Sequence, residues 1–193
     1  MKLDFGTNKP YLHTKLTPTK EMPRVALVFR RPYFVSDYFL VPYTHGFTHV
    51  DILPLSDGDG DNALTYTSYM GENFSISIAA KHRFTNQTEV ALCLELADEE
   101  HEKLTSYLQD LCAANVPYNY TDLAMLVVPA AIRHKLLSDV PSEDPAHLQS
   151  VFCSQAAVLA LRNALLPQRA LFARLNELNS RETLPVDLNI IFN

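Results

Sequence analysis

The sequence predicts an α+β fold, an antiparallel β-sheet packed against C-terminal helices, and three observations carry that prediction. Between about residues 24 and 97, short runs rich in Val, Ile, Tyr, Phe and Thr follow one another, the composition of half-buried pleated strands. From residue 98 onward the apolar residues recur at intervals of three and four, the period of a helix. An early block of strands followed by a late block of helices is the order of an α+β domain, because a parallel sheet would need the two kinds of element to alternate.

Residues 1–24 read as an N-terminal extension and 25–193 as a single domain, since 193 residues can enclose one substantial core. The strand candidates are RVALVFR (24–30), YFVSDYFLV (33–41), FTHVDILPL (47–55), ALTYTSYM (63–70), FSISIAA (74–80) and EVALCLELA (89–97). Two of them flank SDGDGDN (56–62), whose Asp-Gly pairs supply the positive φ angles of a tight reversal, so a hairpin is expected there. The same stretch looks like part of a calcium loop but lacks the bidentate glutamate at the twelfth position, and a plain turn is the better reading.

Helices come next. DEEHEKLTSYLQDLCAA (98–114) opens with acids, which suit the positive end of a helix dipole, and spaces Leu104, Leu108, Leu111 and Cys112 along one face. YTDLAMLVVPAAIRHKLL (120–137) contains Pro129, which should kink or end it. After the polar SDVPSEDP (138–145), SVFCSQAAVLALRNAL (150–165) reads as a helix with Cys153 in its opening turn and Ser150 or Gln149 near the cap. Asp144 and Pro145 form a rival start, which would put Cys153 in the third turn. A further helix over about 168–179 and a last strand in TLPVDLNIIFN (183–193) complete the chain.

Composition narrows the function. The formal net charge of −6 offers no basic field for nucleic acid. MKLDFGTNKPYLH has no apolar stretch of signal-peptide length, and no later run approaches the roughly 18 apolar residues of a transmembrane segment, so a soluble, cytoplasmic protein is expected. Three cysteines, an odd number without C-x-x-C spacing, support neither a disulfide framework nor a cysteine zinc site. Cys112 has a core role on its helix, and Cys93 alternates inside a strand as a small buried hydrophobe.

Cys153 is different. At a helix N-terminus a thiol meets the positive end of the macrodipole, which favours thiolate, and unpaired backbone N–H groups, which can hold an oxyanion. A base is available in FTHVDI, where His49, Asp51 and Leu53 share one strand face and Val50 and Ile52 the other. His45 precedes His49 by four residues, but in a strand or loop that spacing does not build the helical zinc-protease face; no metal and no cofactor are expected. Tyr118 and Tyr120 either wall a cleft or simply pack.

Four segments in order, FTHVDI (47–52), YTSYMGENFS (66–75), VPYNYTDL (116–123) and VFCSQAAVLAL (151–161), resemble the circularly permuted papain-like superfamily, the NlpC-type cysteine amidases in which histidine precedes cysteine. The match spans about residues 25–165. It implies a permuted papain-like fold and thiol chemistry at an amide, ester or thioester carbonyl, with a peptide, isopeptide or lipid acyl substrate. Cys153 would be the nucleophile and His49 the base. Such proteins carry a third polar group that orients the histidine; hairpin arithmetic brings residues 68–70 opposite His49, making Ser68 a candidate, with Asp51 and Glu72 as alternatives. Similar domains occur in bacteria and large DNA viruses, so the resemblance also implies a second reading, a non-catalytic structural or binding module, virion-associated if viral.

Overall fold

The computed structural model describes residues 2–4, 23–32, 41, 46–56, 63–69, 71–78, 90–126, 128–137 and 143–192. Its strands are β1 (Lys2–Asp4), β2 (Arg24–Arg30), β3 (His49–Leu55), β4 (Leu64–Thr67), β5 (Ser75–Ile78) and β6 (Val90–Glu95). They form one sheet in the order β1-β6-β2-β3-β4-β5, and every pairing is antiparallel. The class is α+β. Residues 2–4, expected as part of an extension, instead pair with β6 at the sheet edge. The strand expected over 33–41, the turn at 57–62 and His45 lie outside the described residues, apart from Val41. The strands flanking the turn, β3 and β4, are antiparallel neighbours, as a hairpin requires.

The centre of the sheet is β2, whose Val25, Ala26, Leu27, Val28 and Phe29 are all buried. A strand apolar on both faces needs cover on both. Val25, Leu27 and Phe29, with Val50 and Ile52 of β3, join the main core beneath the helices. Ala26, Val28, Leu53 and Ala63 form a smaller cluster on the other face. This alternation places His49 and Asp51 on the side of the smaller cluster.

The helices are α1 (Asp98–Ala113), α2 (Tyr120–Met125), α3 (Ala130–Leu136), α4 (Cys153–Ala164), α5 (Ala170–Asn176) and α6 (Pro185–Phe192). In α1, Glu100 accepts from the Ala97 N–H at 2.9 Å, satisfying a donor the helix itself leaves open. Pro129 separates α2 from α3 and sits at the N-cap of α3, where its missing N–H costs nothing. The rival start at Asp144 is a single 3-10 turn, Pro145–His147, capped by Asp144 on Ala146 N–H; the extended Leu148 at its end stops it there. The cap of α4 is therefore Phe152 and not Ser150 or Gln149.

The chain end corrects the expected last strand. Residues 185–192 form α6, with Pro185 fixing φ at the start and Asp187 accepting from the Leu184 N–H at 2.8 Å. Leu188 and Ile191, three apart, face inward. A short apolar run carries too few periods to separate strand from helix, and the packing against α4 and α5 decides.

The helix on which the others pack is α4. Every residue from Cys153 to Leu161 is buried, and α1, β3, α5 and α6 all touch it. Ala156, Ala157 and Ala160 leave room for close approach, while Leu159 fills the core. Among the described residues no helix is long and apolar enough to cross a membrane. Leu159→Ala should lower the unfolding free energy by about 2–5 kcal/mol through the cavity it leaves, measured by urea denaturation. Ile190→Ala, at a position 60% exposed, should change it by under roughly 0.5 kcal/mol.

Candidate active site

At the end of the sheet, the first residue of β3 meets the first residue of α4. His49 is 12% exposed and Cys153 5%. The ring Nε2 of His49 lies 2.8 Å from Asp51 Oδ1 and 2.8 Å from Thr67 Oγ1. Beside a carboxylate that nitrogen carries the proton and donates it. Cys153 lies close enough to act on the imidazole electrostatically. Tyr69 stacks on the ring, centroids 4.2 Å apart and planes 12° from parallel. A ring clamped in this way keeps one orientation.

Electrostatics favour the charged histidine. Burial alone would lower its pKa, but the negative charge of Cys153, then that of Asp51, and the hydrogen bonds to both outweigh it and raise His49 from 6.5 to about 9. Asp51 is fully buried. Burial would raise its pKa, yet His49, then Arg30, whose guanidinium is ion-paired with the second carboxylate oxygen, hold it at about 2. Burial pushes the Tyr69 phenol above its ordinary value, so it stays protonated.

Of the residues expected from sequence, the structure brings Cys153, His49 and Asp51 together. Ser68 belongs elsewhere. Its hydroxyl donates to the Val151 carbonyl at 3.0 Å, away from the imidazole. Register explains the difference: Ile52 pairs with Tyr66, which sets Thr67 opposite Asp51 and Tyr69 opposite His49, while Ser68 falls on the other face. Glu72 is exposed in the turn beyond Tyr69. Thr67, Tyr69 and Arg30 were missed, and only the strand register could have pointed to them.

Tight backbone and side-chain bonds fix the start of α4. Val151 N–H donates to Pro117 O at 2.9 Å, and Val151 O accepts from Asn119 N–H at 3.1 Å as well as from Ser68. Gln155 Oε1 accepts from the Phe152 N–H and from Asn119 Nδ2, each at 3.4 Å. Asn119 also caps α2 on the Asp122 N–H at 2.9 Å, and Asp122 takes a two-pronged ion pair from Arg181 at 2.7 Å per arm. The rings of Tyr118 and Tyr120 lie 5.0 Å apart beside this opening, Tyr120 half exposed.

The other thiols differ. Cys93 is half-buried beside the smaller cluster, and burial in α1 pushes Cys112 up to about 11. Among the described residues no group of three or more His, Cys, Asp or Glu could hold a metal ion. Comparison with protein-family models, with curated proteins and with solved structures finds no match to this chain.

A raised histidine pKa has a definite consequence for stability. The contribution of His49 is complete below pH 6.5 and is lost as the pH climbs through about 9. That of Asp51 is present above 3.8 and is lost as the pH falls toward 2. The melting temperature of the wild type should therefore exceed that of His49→Gln by most near pH 6, with the gap narrowing by pH 10. An equal gap at both values would contradict this assignment.

Proposed function

We propose that the chain is a cysteine hydrolase or acyltransferase of the circularly permuted papain-like type, with Cys153 as nucleophile and His49 as its proton carrier. The observation that carries the reading is the imidazole of His49, held at 2.8 Å by buried Asp51 and electrostatically coupled to Cys153 at the head of a helix. The convergence of the four segments of the resemblance on Val151 and Cys153 supports the fold family.

In this mechanism the Cys153 sulfur bonds to the carbonyl carbon of an amide, ester or thioester. The oxyanion so formed is stabilised by backbone N–H groups in the first turn of α4. His49 gives its proton to the leaving nitrogen, oxygen or sulfur as the old acyl bond breaks, leaving a neutral imidazole and an acylated Cys153. Neutral His49 then takes a proton from water, or from an acceptor amine or hydroxyl, whose heavy atom attacks the acyl carbon and releases the sulfur. Asp51 holds the ring in the productive tautomer throughout, which makes it, and not Ser68, the orienting group.

A second reading keeps the fold as a binding or structural module, and the near-complete burial of Cys153 favours it. Against it stands the cost of enclosing an aspartate, an arginine and a histidine where apolar side chains would suffice for packing.

Alkylation separates the two. An ordinary thiol with a pKa of about 8.5 is mostly protonated at pH 6. Iodoacetamide at that pH should label Cys153 at least about tenfold faster than Cys93 or Cys112, as resolved by peptide mapping, and His49→Ala should remove the difference. Slow labelling of all three, indifferent to His49→Ala, would establish the module instead.

A further inference from the structure

We propose that Arg30 is a positioning residue of this site, acting through Asp51: it keeps the carboxylate ionised and aimed at His49 while the histidine gains and loses its proton. The inference rests on the acyl-transfer reading and deepens it.

The placement follows from the strands. Arg30 and His49 are direct cross-strand partners at the ends of β2 and β3, and Asp51 lies two residues along on the same face. The two oxygens of Asp51 are divided between them: Oδ2 is ion-paired with the Arg30 guanidinium, and Oδ1 lies 2.8 Å from His49 Nε2. Because Oδ2 is held, the carboxyl cannot rotate without breaking a charged contact. Facing Asp51 are Arg30 from β2, His49 from β3, Thr67 from β4 and Tyr69 just beyond it, with Cys153 on the far side of the imidazole. Arginine alone in this set carries a positive charge at every working pH.

The need for that charge appears when the protons are followed. Before attack, Asp51 is flanked by two positive partners, Arg30 and the protonated His49. Once Cys153 is acylated and His49 has given its proton to the leaving group, both have become neutral. Asp51 would then be a lone buried anion, which would draw a proton or turn toward solvent. Arg30 balances it at that stage, so Oδ1 still holds Nε2–H and the ring keeps its orientation for the second half of the reaction.

The test uses the full chain carrying Arg30→Met or Arg30→Lys, each alone and combined with Asp51→Asn, with folding checked by circular dichroism. The rate of Cys153 alkylation by iodoacetamide is followed from pH 6 to 9. Arg30→Met should slow it about tenfold or more, and Arg30→Lys, which keeps the charge, should restore it to within about threefold. In the Asp51→Asn background neither change should move the rate by more than about twofold, because the residue through which Arg30 acts is already neutral. Equal loss in both backgrounds, or no loss in either, overturns the proposal.

A second readout needs no variant and remains if Arg30→Met does not fold. The 13C resonance of the Asp51 carboxyl should keep its ionised position from pH 5 to 10, on both sides of the His49 titration. Protonation of Asp51 as His49 loses its proton overturns the proposal. Should wild-type Cys153 be no more reactive than Cys93, the acyl-transfer reading fails, and the carboxyl resonance still decides whether Asp51 stays charged beside Arg30.

Discussion

The backbone of Val151 is the joint on which the site depends. Its N–H binds the carbonyl of Pro117, and its carbonyl takes the N–H of Asn119 and the hydroxyl of Ser68, so two distant segments meet one residue two positions before Cys153. A peptide group removed from water has to find such partners or lose several kcal/mol of solvation, roughly 2–7 for an amide. Satisfying it here fixes where α4 begins. The position of the sulfur relative to the sheet is thus set by main-chain hydrogen bonding more than by the cysteine itself.

Behind that joint the polar contacts continue into the body of the fold. Gln155 and Asn119 link α4 to α2, Asp122 and Arg181 tie α2 to the segment before α6, and Ser154 donates to the Thr183 carbonyl at 2.7 Å. Apart from the partly exposed Arg181 these groups are buried, so each bond that is lost leaves an unsatisfied partner in a region of low dielectric. The C-terminal segment therefore also holds the helix start. Rigidity at this point matters for chemistry, because a sulfur misplaced by one ångström loses its alignment with an acyl carbon.

The charges on the strand face need the same cooperation. Asp51 is fully buried, and no isolated carboxylate survives in that position as an anion. Arg30 on β2, His49 on β3 and Thr67 on β4 surround it, each from a different strand, and only a sheet in this register assembles them. Tyr69, two residues beyond Thr67, then covers the imidazole. The apolar Ala26, Val28 and Leu53 further along the same face limit the polar patch to one end of the sheet.

Much of this was legible in the sequence itself. Short runs rich in apolar and β-branched residues placed β2, β3 and β6, and strand alternation sorts the residues of each run between two faces. The heptad-like spacing of Leu104, Leu108 and Leu111 marked α1, and Pro129 divided α2 from α3 for want of an N–H. The same alternation joined His49 to Asp51. Three things were decided only by tertiary structure. The register between β3 and β4 chose Thr67 and Tyr69 over Ser68, since a slip of one residue reverses every side chain and the loop between the strands does not announce its geometry. Packing against α4 and α5 made 185–192 a helix, since eight residues carry too short a pattern to declare themselves. Arg30 became the partner of Asp51 because the two lie on different strands, and a contact between residues 21 positions apart is a property of the folded sheet rather than of any stretch of sequence.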